Sequence, residues 1–418
     1  MTRRRSVVAL PLMAITASFA ALTTPVEAQD TPTRIILFIA DGTGVGYWTA
    51  AAFAADNLAV QQFPVMGLVD TRASNSKVTD SAAAATAYSA GVMTYNGAIG
   101  VDPDTNVVTT VIEVAQRRGM ATGLVATSSI THATPAAFAA HVPSRNMEWE
   151  IARQLVGADV TVILGGGRKW FDPARRPDSL DLLSDITAGY TYVETAQELG
   201  DVRTNSTEKL FGLFAVEHMP SARMRIPTLP VMTRSALEVL NNDPDGFFLM
   251  VEASQPDWRG HDHESIGTIA AEVLDLDRAI AVALEYQQRH PETLIVVTAD
   301  HETGGLAIQQ AGSRRLLTRA AAAADSTVAQ IVEASEVSDP ELAALADSAR
   351  WYMARLARNM RDEARHMGDS SALVARYTTT GHTAQMVPLF ASGPGAEVFG
   401  GLKPNWRIGE LLLQVVRR

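Results

Sequence analysis

The stretch Arg34-Ile35-Ile36-Leu37-Phe38-Ile39-Ala40, followed by Asp41-Gly42, decides the fold. An apolar run of this length without polar alternation predicts a strand that is buried on both faces of a parallel sheet. Gly42 allows the tight turn that such a strand end needs, and the turn presents the Asp41 carboxylate at the sheet edge. Taken alone, an Asp-Gly pair indicates only a turn.

Similar apolar, β-branched runs recur along the chain between helical or loop segments. They lie at Ala121–Thr127, Val160–Leu164, Gly246–Ala253, Thr293–Thr298 and Val387–Ala391. This alternation predicts an α/β fold with one doubly wound, mostly parallel central sheet flanked by helices. Sites in open sheets of this kind form at the carboxyl ends of the strands.

Four of the predicted strands lead into side chains that can bind metal ions. These are Asp41, Thr134 after Ser128-Ser129, Glu252 with Asp257, and Asp300-His301. Asp257 and His261 are four residues apart in a polar loop, and a carboxylate with an imidazole suits a catalytic zinc. Because the chain has no cysteine, any metal must bind oxygen and nitrogen ligands. Ordinary cores rarely bury so many such residues unpaired, so the sequence predicts a metal site.

Ser81 stands at a predicted helix start, between Asp80 and an alanine-rich run of high helix propensity. A serine here either caps the first helical turn or becomes a nucleophile in the field of the helix N-terminus. Capping is the commoner role. Capping does not explain the number of carboxylates and imidazoles at the strand ends. We therefore interpret Ser81 as the centre of the metal site.

Residues 1–28 have the three parts of a signal peptide. A basic start at Arg3-Arg4-Arg5 precedes an apolar run from Val7 to Leu22 and a small-x-small site that ends at Ala28. The run is short for a membrane span, which favours cleavage near Ala28 over an uncleaved anchor. We therefore expect a periplasmic or secreted protein with one catalytic domain over 29–418, exported by a route that the sequence leaves open.

The charge balance limits the classes of partner. The chain has 35 basic and 46 acidic residues and a formal net charge of −11. Such a surface suits solubility and disfavours binding to nucleic acid or to an acidic membrane, so we expect neither partner.

From about 310 to 376 the alternation of strands and helices stops, and the chain is rich in alanine, arginine and acidic residues. Asp339-Pro340-Glu341 predicts a helix start, and apolar residues at helical spacing follow as far as Gly368. We expect a helical subdomain inserted into the catalytic domain, because Asp300-His301 before it and His382 after it belong to one site. A helical hairpin that only covers the sheet is the alternative.

Seven motifs, in order along the chain, resemble those of the bacterial alkaline phosphatase family. They are Phe38-Ile39-Ala40-Asp41-Gly42, Val78-Thr79-Asp80-Ser81-Ala82, Thr131-His132-Ala133-Thr134-Pro135, His141-Val142-Pro143-Ser144-Arg145, Val251-Glu252-Ala253-Ser254, Thr298-Ala299-Asp300-His301 and Thr380-Gly381-His382-Thr383. The resemblance covers nearly the whole chain after the signal peptide.

The resemblance implies an alkaline phosphatase that hydrolyses phosphate monoesters to an alcohol and inorganic phosphate through a phosphoserine on Ser81. It implies two zinc ions and one magnesium ion. One zinc would bind Asp257, His261 and His382, the second would bind Asp41, Asp300 and His301 beside Ser81, and the magnesium would bind Asp41, Thr134 and Glu252. Arg145 would clamp two phosphate oxygens and Asp80 would orient Arg145.

Two expected substrate-binding positions depart from the best-known bacterial pattern and match a His/Trp variant of the family. His132 stands where an aspartate is common, and its imidazole could favour zinc or another transition ion at the third site. Trp258 stands where a lysine or histidine is common, and it either reaches a bridging water through its indole N–H or simply packs against a loop. We expect His218 at the surface and His263 in a solvated loop.

Two other functions share some of these sequence features. A related metal-dependent phosphodiesterase is disfavoured by Arg145, because a diester offers one free oxygen fewer to a two-pronged clamp. An exported metal- or phosphate-binding protein without turnover is disfavoured by Ser81, because binding alone needs no nucleophile. The sequence leaves open whether the chain is a monomer or a homodimer.

Overall fold

The computed structural model describes residues 32–310 and 373–417, together with the isolated positions 322, 325, 353, 354, 357 and 358. The strands in these ranges are β1 (Arg34–Ala40), β2 (Val65–Asp70), β3 (Ala121–Ser129), β4 (Val162–Gly166), β5 (Thr191–Val193), β6 (Leu210–Leu213), β7 (Phe247–Ala253), β8 (Thr293–Thr298), β9 (Glu302–Thr303), β10 (Ala307–Gln310), β11 (Leu373–Arg376), β12 (His382–Thr383), β13 (Val387–Ser392) and β14 (Gly401–Pro404). The helices are α1 (Val45–Ala54), α2 (Ser81–Ala90), α3 (Val111–Arg117), α4 (Ala133–Ala139), α5 (Glu148–Gly157), α6 (Leu182–Gly189), α7 (Ala196–Asp201), α8 (Leu229–Leu240), α9 (Gln255–His261), α10 (Ile266–Arg289) and α11 (Asn405–Arg417).

Ten strands of the described residues form one sheet, in the order β14-β2-β13-β8-β1-β7-β3-β4-β6-β5. Neighbouring strands run parallel except β13, which is antiparallel to both β8 and β2. β1 lies in the middle of the sheet between β7 and β8, and all its residues after Arg34 are buried. The predicted α/β class with a mostly parallel sheet is confirmed.

Two groups of helices cover this sheet. α10 packs against α1 and α8, whereas α2 packs against α4 and α11. Both groups reach the central strands, since α10 contacts β1 and β8 while α4 contacts β3 and β7. This arrangement buries the apolar runs of the central strands on both faces, which explains why they show no polar alternation.

The strands that the sequence analysis missed or misplaced lie away from the centre of the sheet. The run predicted at Val160–Leu164 forms a strand two residues later, at Val162–Gly166. β2 alternates exposed with partly buried residues, and β5, β6 and β14 have only three or four residues each. None of these four segments contains the long apolar run on which the prediction depended.

Paired strands flank the segment in which we expect the helical insert. β10 pairs with β11 and β9 pairs with β12, both antiparallel. Most of the helix predicted after Asp339 lies outside the described residues, although positions 353, 354, 357 and 358 are helical. The predicted signal peptide, 1–28, also lies outside them. In the ranges that the structure describes, no helix is both long and apolar enough to cross a membrane.

A buried ion-pair cluster joins α8 to α10. The guanidinium of Arg225, in the loop before α8, donates to Oδ2 of Asp275 at 2.6 Å and to Oε2 of Glu272 at 2.8 Å. All three side chains are at most 2 % exposed. The backbone N–H of Leu229, at the start of α8, also donates to Asp275. Each buried charge therefore depends on the others for compensation.

We expect the substitution Arg225→Met to lower the free energy of unfolding by about 3–5 kcal/mol, because it removes the buried cation from Glu272 and Asp275. Asp275 then keeps only the largely exposed Arg278, at 3.4 Å, as a positive partner. Denaturant unfolding at constant metal concentration measures this loss. The matched control is Arg234→Met, since the Arg234–Glu285 pair is 47 % and 57 % exposed and should contribute no more than about 1 kcal/mol. Equal losses for the two variants would contradict the prediction.

Candidate metal centre

Ser81 is the first residue of α2, and the residue before it caps the helix. The Asp80 side chain accepts a hydrogen bond from the backbone N–H of Ala83 at 3.0 Å. Ser81 is 2 % exposed, and its Oγ lies 3.2 Å from Nε2 of His301. Because Asp80 supplies the cap, the Ser81 hydroxyl is free of the capping role that the sequence left open.

The ends of the central strands bring the expected metal ligands into one region. They are Asp41 after β1, Glu252 in β7, Asp257 and His261 on α9, Asp300 and His301 after β8, and His382 at the start of β12. Three groups of these side chains, together with His132, place ligand atoms within 4.8 Å of one another. The groups are Asp257, His301 and His382; Asp41, Asp300 and His301; and Asp41, His132 and Glu252.

One of these groups is identical to an expected ligand set, and the other two overlap the expected sets. The group of Asp41, Asp300 and His301 is the set expected beside Ser81. His261 lies next to the first group, because its Nε2 is 3.3 Å from Oδ1 of Asp257 and 3.2 Å from Nε2 of His382. The third group adds His132 to Asp41 and Glu252, the two carboxylates of the expected magnesium set, and the hydroxyl of Thr134, the third member of that set, is buried without a hydrogen-bond partner among the described residues.

Unpartnered buried atoms show that this region suits cations. The atoms are Oδ1 and Oδ2 of Asp41, Oε1 of Glu252, Oδ2 of Asp300 and Oγ1 of Thr134, and among the described residues none has a hydrogen-bond partner. Leaving a buried carboxylate oxygen unpaired is unfavourable by several kcal/mol. Oxygen and imidazole nitrogen are the ligand types that magnesium and zinc accept, so the donor set fits both ions.

The electrostatics lead to the same conclusion. Burial raises the pKa of Asp41 well above its usual range, and the charges of Asp300, Asp257 and Glu252 raise it further. Burial also raises the pKa of Glu252 to about 7 and, together with the charge of Asp257, the pKa of Asp300 to about 6. These carboxylates repel one another in a region that excludes water, and bound positive charge would relieve the repulsion.

Backbone carbonyl groups orient two of the histidines. Nδ1 of His261 donates to the carbonyl of Thr380 at 2.5 Å, and Nδ1 of His382 donates to the carbonyl of Thr79 at 2.9 Å. A carbonyl oxygen only accepts, so each Nδ1 carries a proton. Nε2 of both rings faces Oδ1 of Asp257, at 3.3 and 3.6 Å. In the neutral rings the Nε2 lone pairs are therefore available to a metal ion.

The sequence analysis missed Thr303. Its hydroxyl donates to Oδ1 of Asp257 and lies 3.3 Å from Nδ1 of His301. The hydroxyl thus links two residues that the family resemblance implies for different zinc ions, and it restricts the orientation of both. Thr303 follows His301 by two residues in an extended segment, and this spacing places both side chains on one face. That periodicity is the signal that could have found it.

Arg145 is held between Asp80 and His132. One terminal nitrogen donates to Oδ2 of Asp80 at 3.0 Å, and the other donates to Nε2 of His132 at 3.0 Å. Burial lowers the pKa of His132 well below its usual range, and the positive charge of Arg145 lowers it further. The ring is therefore neutral and can accept at Nε2. Contacts at both ends preorganise the guanidinium directly beside the start of α2.

Trp258 packs against two imidazole rings at the wall of this region. Its ring centroid lies 6.1 Å from that of His132 and 4.6 Å from that of His218. Nδ1 of His218 accepts the backbone N–H of Ser129 at 3.0 Å. The contacts of Trp258 are thus packing contacts, and His218 adjoins the site as well as the surface. His263, expected in a solvated loop, is only 6 % exposed, so that expectation is wrong.

Known proteins resemble the chain over most of its length. The family model described as alkaline phosphatase matches residues 33–417. Alkaline phosphatase 3 of Bacillus subtilis is 36 % identical over 425 aligned residues, which cover 93 % of this chain and 90 % of the relative. The alkaline phosphatase of Escherichia coli is 35 % identical over 65 % of this chain and 71 % of its own length.

A solved structure of an alkaline phosphatase is also similar to the chain. The alkaline phosphatase of the Antarctic bacterium TAB5 is 32 % identical and superimposes with a TM-score of 0.75, covering 93 % of this chain and 99 % of the other. Variants of that enzyme in which a histidine is replaced by glutamate or aspartate have been solved with Mg bound in a site named M3. These relatives do not favour a phosphodiesterase or a binding protein without turnover. The chain belongs to the alkaline phosphatase family and is a metal-dependent phosphomonoesterase.

Proposed function

We propose that this phosphomonoesterase works in two steps, with Ser81 as the nucleophile and a phosphoserine as the intermediate. The observation that carries the proposal is the placement of the Ser81 hydroxyl. Asp80 caps the helix in place of Ser81, and the Ser81 hydroxyl lies 3.2 Å from Nε2 of His301. In the first step the Oγ–P bond forms while the bond from phosphorus to the leaving alcohol oxygen breaks. In the second step water attacks phosphorus, and inorganic phosphate leaves as Ser81 regains its proton.

Three cations complete the proposed site. Asp257, His261 and His382 would hold one zinc, Asp41, Asp300 and His301 would hold the second next to Ser81, and Asp41, Thr134 and Glu252 would hold magnesium. When bound, these ions lower the pKa of the serine hydroxyl and of water and stabilise the charge on the departing oxygen. The unpartnered oxygens of Asp41, Asp300 and Glu252 support the assignment, since each needs a positive partner.

Arg145 is the proposed phosphate clamp. Its planar fork would bind two non-bridging oxygens of the substrate, and Asp80 would orient it through the 3.0 Å hydrogen bond. A monoester presents three such oxygens and a diester only two, so the fork favours monoesters. His132 and Trp258 would line the pocket beside the clamp. His132 and Asp80 both accept hydrogen bonds from the guanidinium of Arg145.

Two proposals concern the chain outside the site. We expect residues 1–28 to direct export to the periplasm or the medium, with cleavage near Ala28. We also expect the segment of about 310–376 to be a helical insert within a single catalytic domain. The paired strands β9/β12 and β10/β11 support the second proposal, because they hold both ends of the segment against the site.

We expect Ser81→Ala to lower kcat for a chromogenic phosphate monoester by about 10³-fold or more, because the variant cannot form the covalent intermediate. Its metal content, measured by mass spectrometry, should match that of the wild type. The matched control is Ser89→Ala on the same helix, since the Ser89 hydroxyl bonds the carbonyl of Ala137 and is remote from the ligand groups. Full turnover in Ser81→Ala would overturn the proposed mechanism.

We expect Arg145→Ala to raise KM for the monoester about 10- to 100-fold, the worth of a charged hydrogen-bonded contact. KM for the matching diester should rise less, so the preference for the monoester should narrow. Steady-state kinetics on the two substrates measures both effects, with Arg153→Ala, at a largely exposed position of α5, as the control. Wild-type enzyme that prefers the diester, or an unchanged preference in Arg145→Ala, would refute the clamp.

We expect His132→Asp to bind magnesium more tightly at the third site than the wild type does. A carboxylate suits magnesium better than an imidazole does, and His132 lies within 4.8 Å of ligand atoms of Asp41 and Glu252. The two magnesium-bearing variants of the TAB5 enzyme, in which a histidine was replaced by an acid, support this expectation. Dialysis against a range of magnesium concentrations followed by elemental analysis tests it, and unchanged retention would contradict it.

A further inference from the structure

We propose that His141, paired with Glu113, is a positioning residue that fixes the segment carrying Arg145 onto the helix carrying Ser81. The proposal rests on the proposed role of Arg145 as the phosphate clamp. His141 and Glu113 have no part in the metal groups. They would affect substrate affinity only through the position of Arg145.

The hydrogen bonds of the His141 ring require two protons. Nδ1 lies 2.8 Å from the carbonyl oxygen of Gly100, and Nε2 lies 3.2 Å from Oε1 of Glu113. A carbonyl and an ionised carboxylate both only accept, so both bonds form together when the ring is an imidazolium. Burial lowers the pKa of His141, but the bonds to Glu113 and to the Gly100 carbonyl outweigh burial, and the net pKa is raised.

The main chain after His141 forms a short ladder of hydrogen bonds that ends at Arg145. Val142 and Ile99 exchange two backbone hydrogen bonds, at 2.9 and 3.1 Å. The backbone N–H of Arg145 donates to the carbonyl of Gly97 at 2.8 Å. With the ring of His141 bonded to Gly100, residues 141–145 therefore dock along 97–100 at three successive points.

Residues 97–100 are in turn docked on α2. The N–H of Gly97 donates to Oδ1 of Asp80 at 3.1 Å, and the N–H of Gly100 donates to the Thr86 hydroxyl at 3.0 Å. At Gly100 φ is +59°, and an added Cβ would lie 2.6 Å from Nδ1 of the His141 ring. The ring therefore lies so close to the backbone that only a glycine fits at position 100. A continuous path of bonds links Glu113, through His141, to both α2 and Arg145.

The surroundings of the His141 ring make Glu113 its main electrostatic partner. Glu113 is fixed independently, because its Oε2 caps α3 by accepting the N–H of Thr110 at 2.8 Å. On the other side, Gln154 of α5 accepts the backbone N–H of His141 and is itself bonded to Glu150. Neighbouring α2 contributes a neutral threonine. On α3, the charge of Arg117 favours the ionised form of Glu113.

The direction of the pH dependence follows from the raised pKa. A histidine with a raised folded-state pKa contributes stabilisation that is complete below its unfolded pKa of about 6.5 and is lost as the pH rises through the folded value. Above that value the ring can keep only one of its two hydrogen bonds. The segment holding Arg145 should then be less fixed, so the affinity for phosphate should fall on the alkaline side.

The test is the inhibition constant for inorganic phosphate, with KM and kcat for a monoester, in wild type, His141→Gln, Arg145→Ala and the double variant. We expect His141→Gln to raise the inhibition constant and KM about 5- to 20-fold near pH 6.5, with kcat changed less than about 3-fold. In the Arg145→Ala background the same substitution should change the inhibition constant less than about 2-fold. The difference between wild type and His141→Gln should shrink as the pH rises.

Glu113→Gln serves as a second variant that keeps the ring. It should raise the inhibition constant in the same direction and move the alkaline loss of affinity to lower pH. His290→Gln is the control, since His290 also lies near a glutamate, Glu292, but remote from this path. Equal effects of His141→Gln with and without Arg145 would refute the positioning role. An unchanged inhibition constant in Arg145→Ala would instead refute the proposed clamp itself, so the two failures are distinguishable.

Discussion

The crowding of carboxylates around Asp41 is the constraint on which the rest of the site depends. Asp41 is completely buried at the end of the central strand, and neither of its carboxylate oxygens has a hydrogen-bond partner among the described residues. Asp300, Asp257 and Glu252 add negative charge around it. A fold that assembles these groups without cations is strained electrostatically, so metal binding and the stability of this region are coupled.

A single carboxylate, that of Asp80, makes hydrogen bonds that position both Ser81 and Arg145. Oδ1 accepts the N–H groups of Ala83 and Gly97, which caps α2 and anchors the loop that follows it. Oδ2 accepts the guanidinium of Arg145. Because the same side chain caps the helix and bonds the arginine, the Ser81 hydroxyl and the Arg145 guanidinium are positioned by shared contacts. The His141–Glu113 pair extends this framework outward to α3 and α5.

The antiparallel pair β9/β12 brings His382, which is distant in the sequence from the other candidate metal ligands, to the site. His382 stands opposite Thr303 in the β9/β12 pair, and Glu302 of β9 accepts the hydroxyl of Thr383 and the N–H groups of Gly305 and Leu306. These bonds hold the returning chain against the segment that carries His301. The position of His382 therefore depends on local pairing at the two ends of residues 311–372.

The sequence by itself determined the central strands and the candidate metal-binding residues at their ends. Strands buried on both faces are continuously apolar. Charged residues such as Asp41 and Asp300 therefore lie just beyond the strand ends. Tertiary structure alone decided that β13 runs antiparallel, that Thr303 bridges Asp257 and His301, and that His141 pairs with Glu113. Nδ1 of His382 bonds a carbonyl 303 residues away. Such bonds to backbone groups leave no local pattern, because any residue can supply the carbonyl once the fold has brought it near.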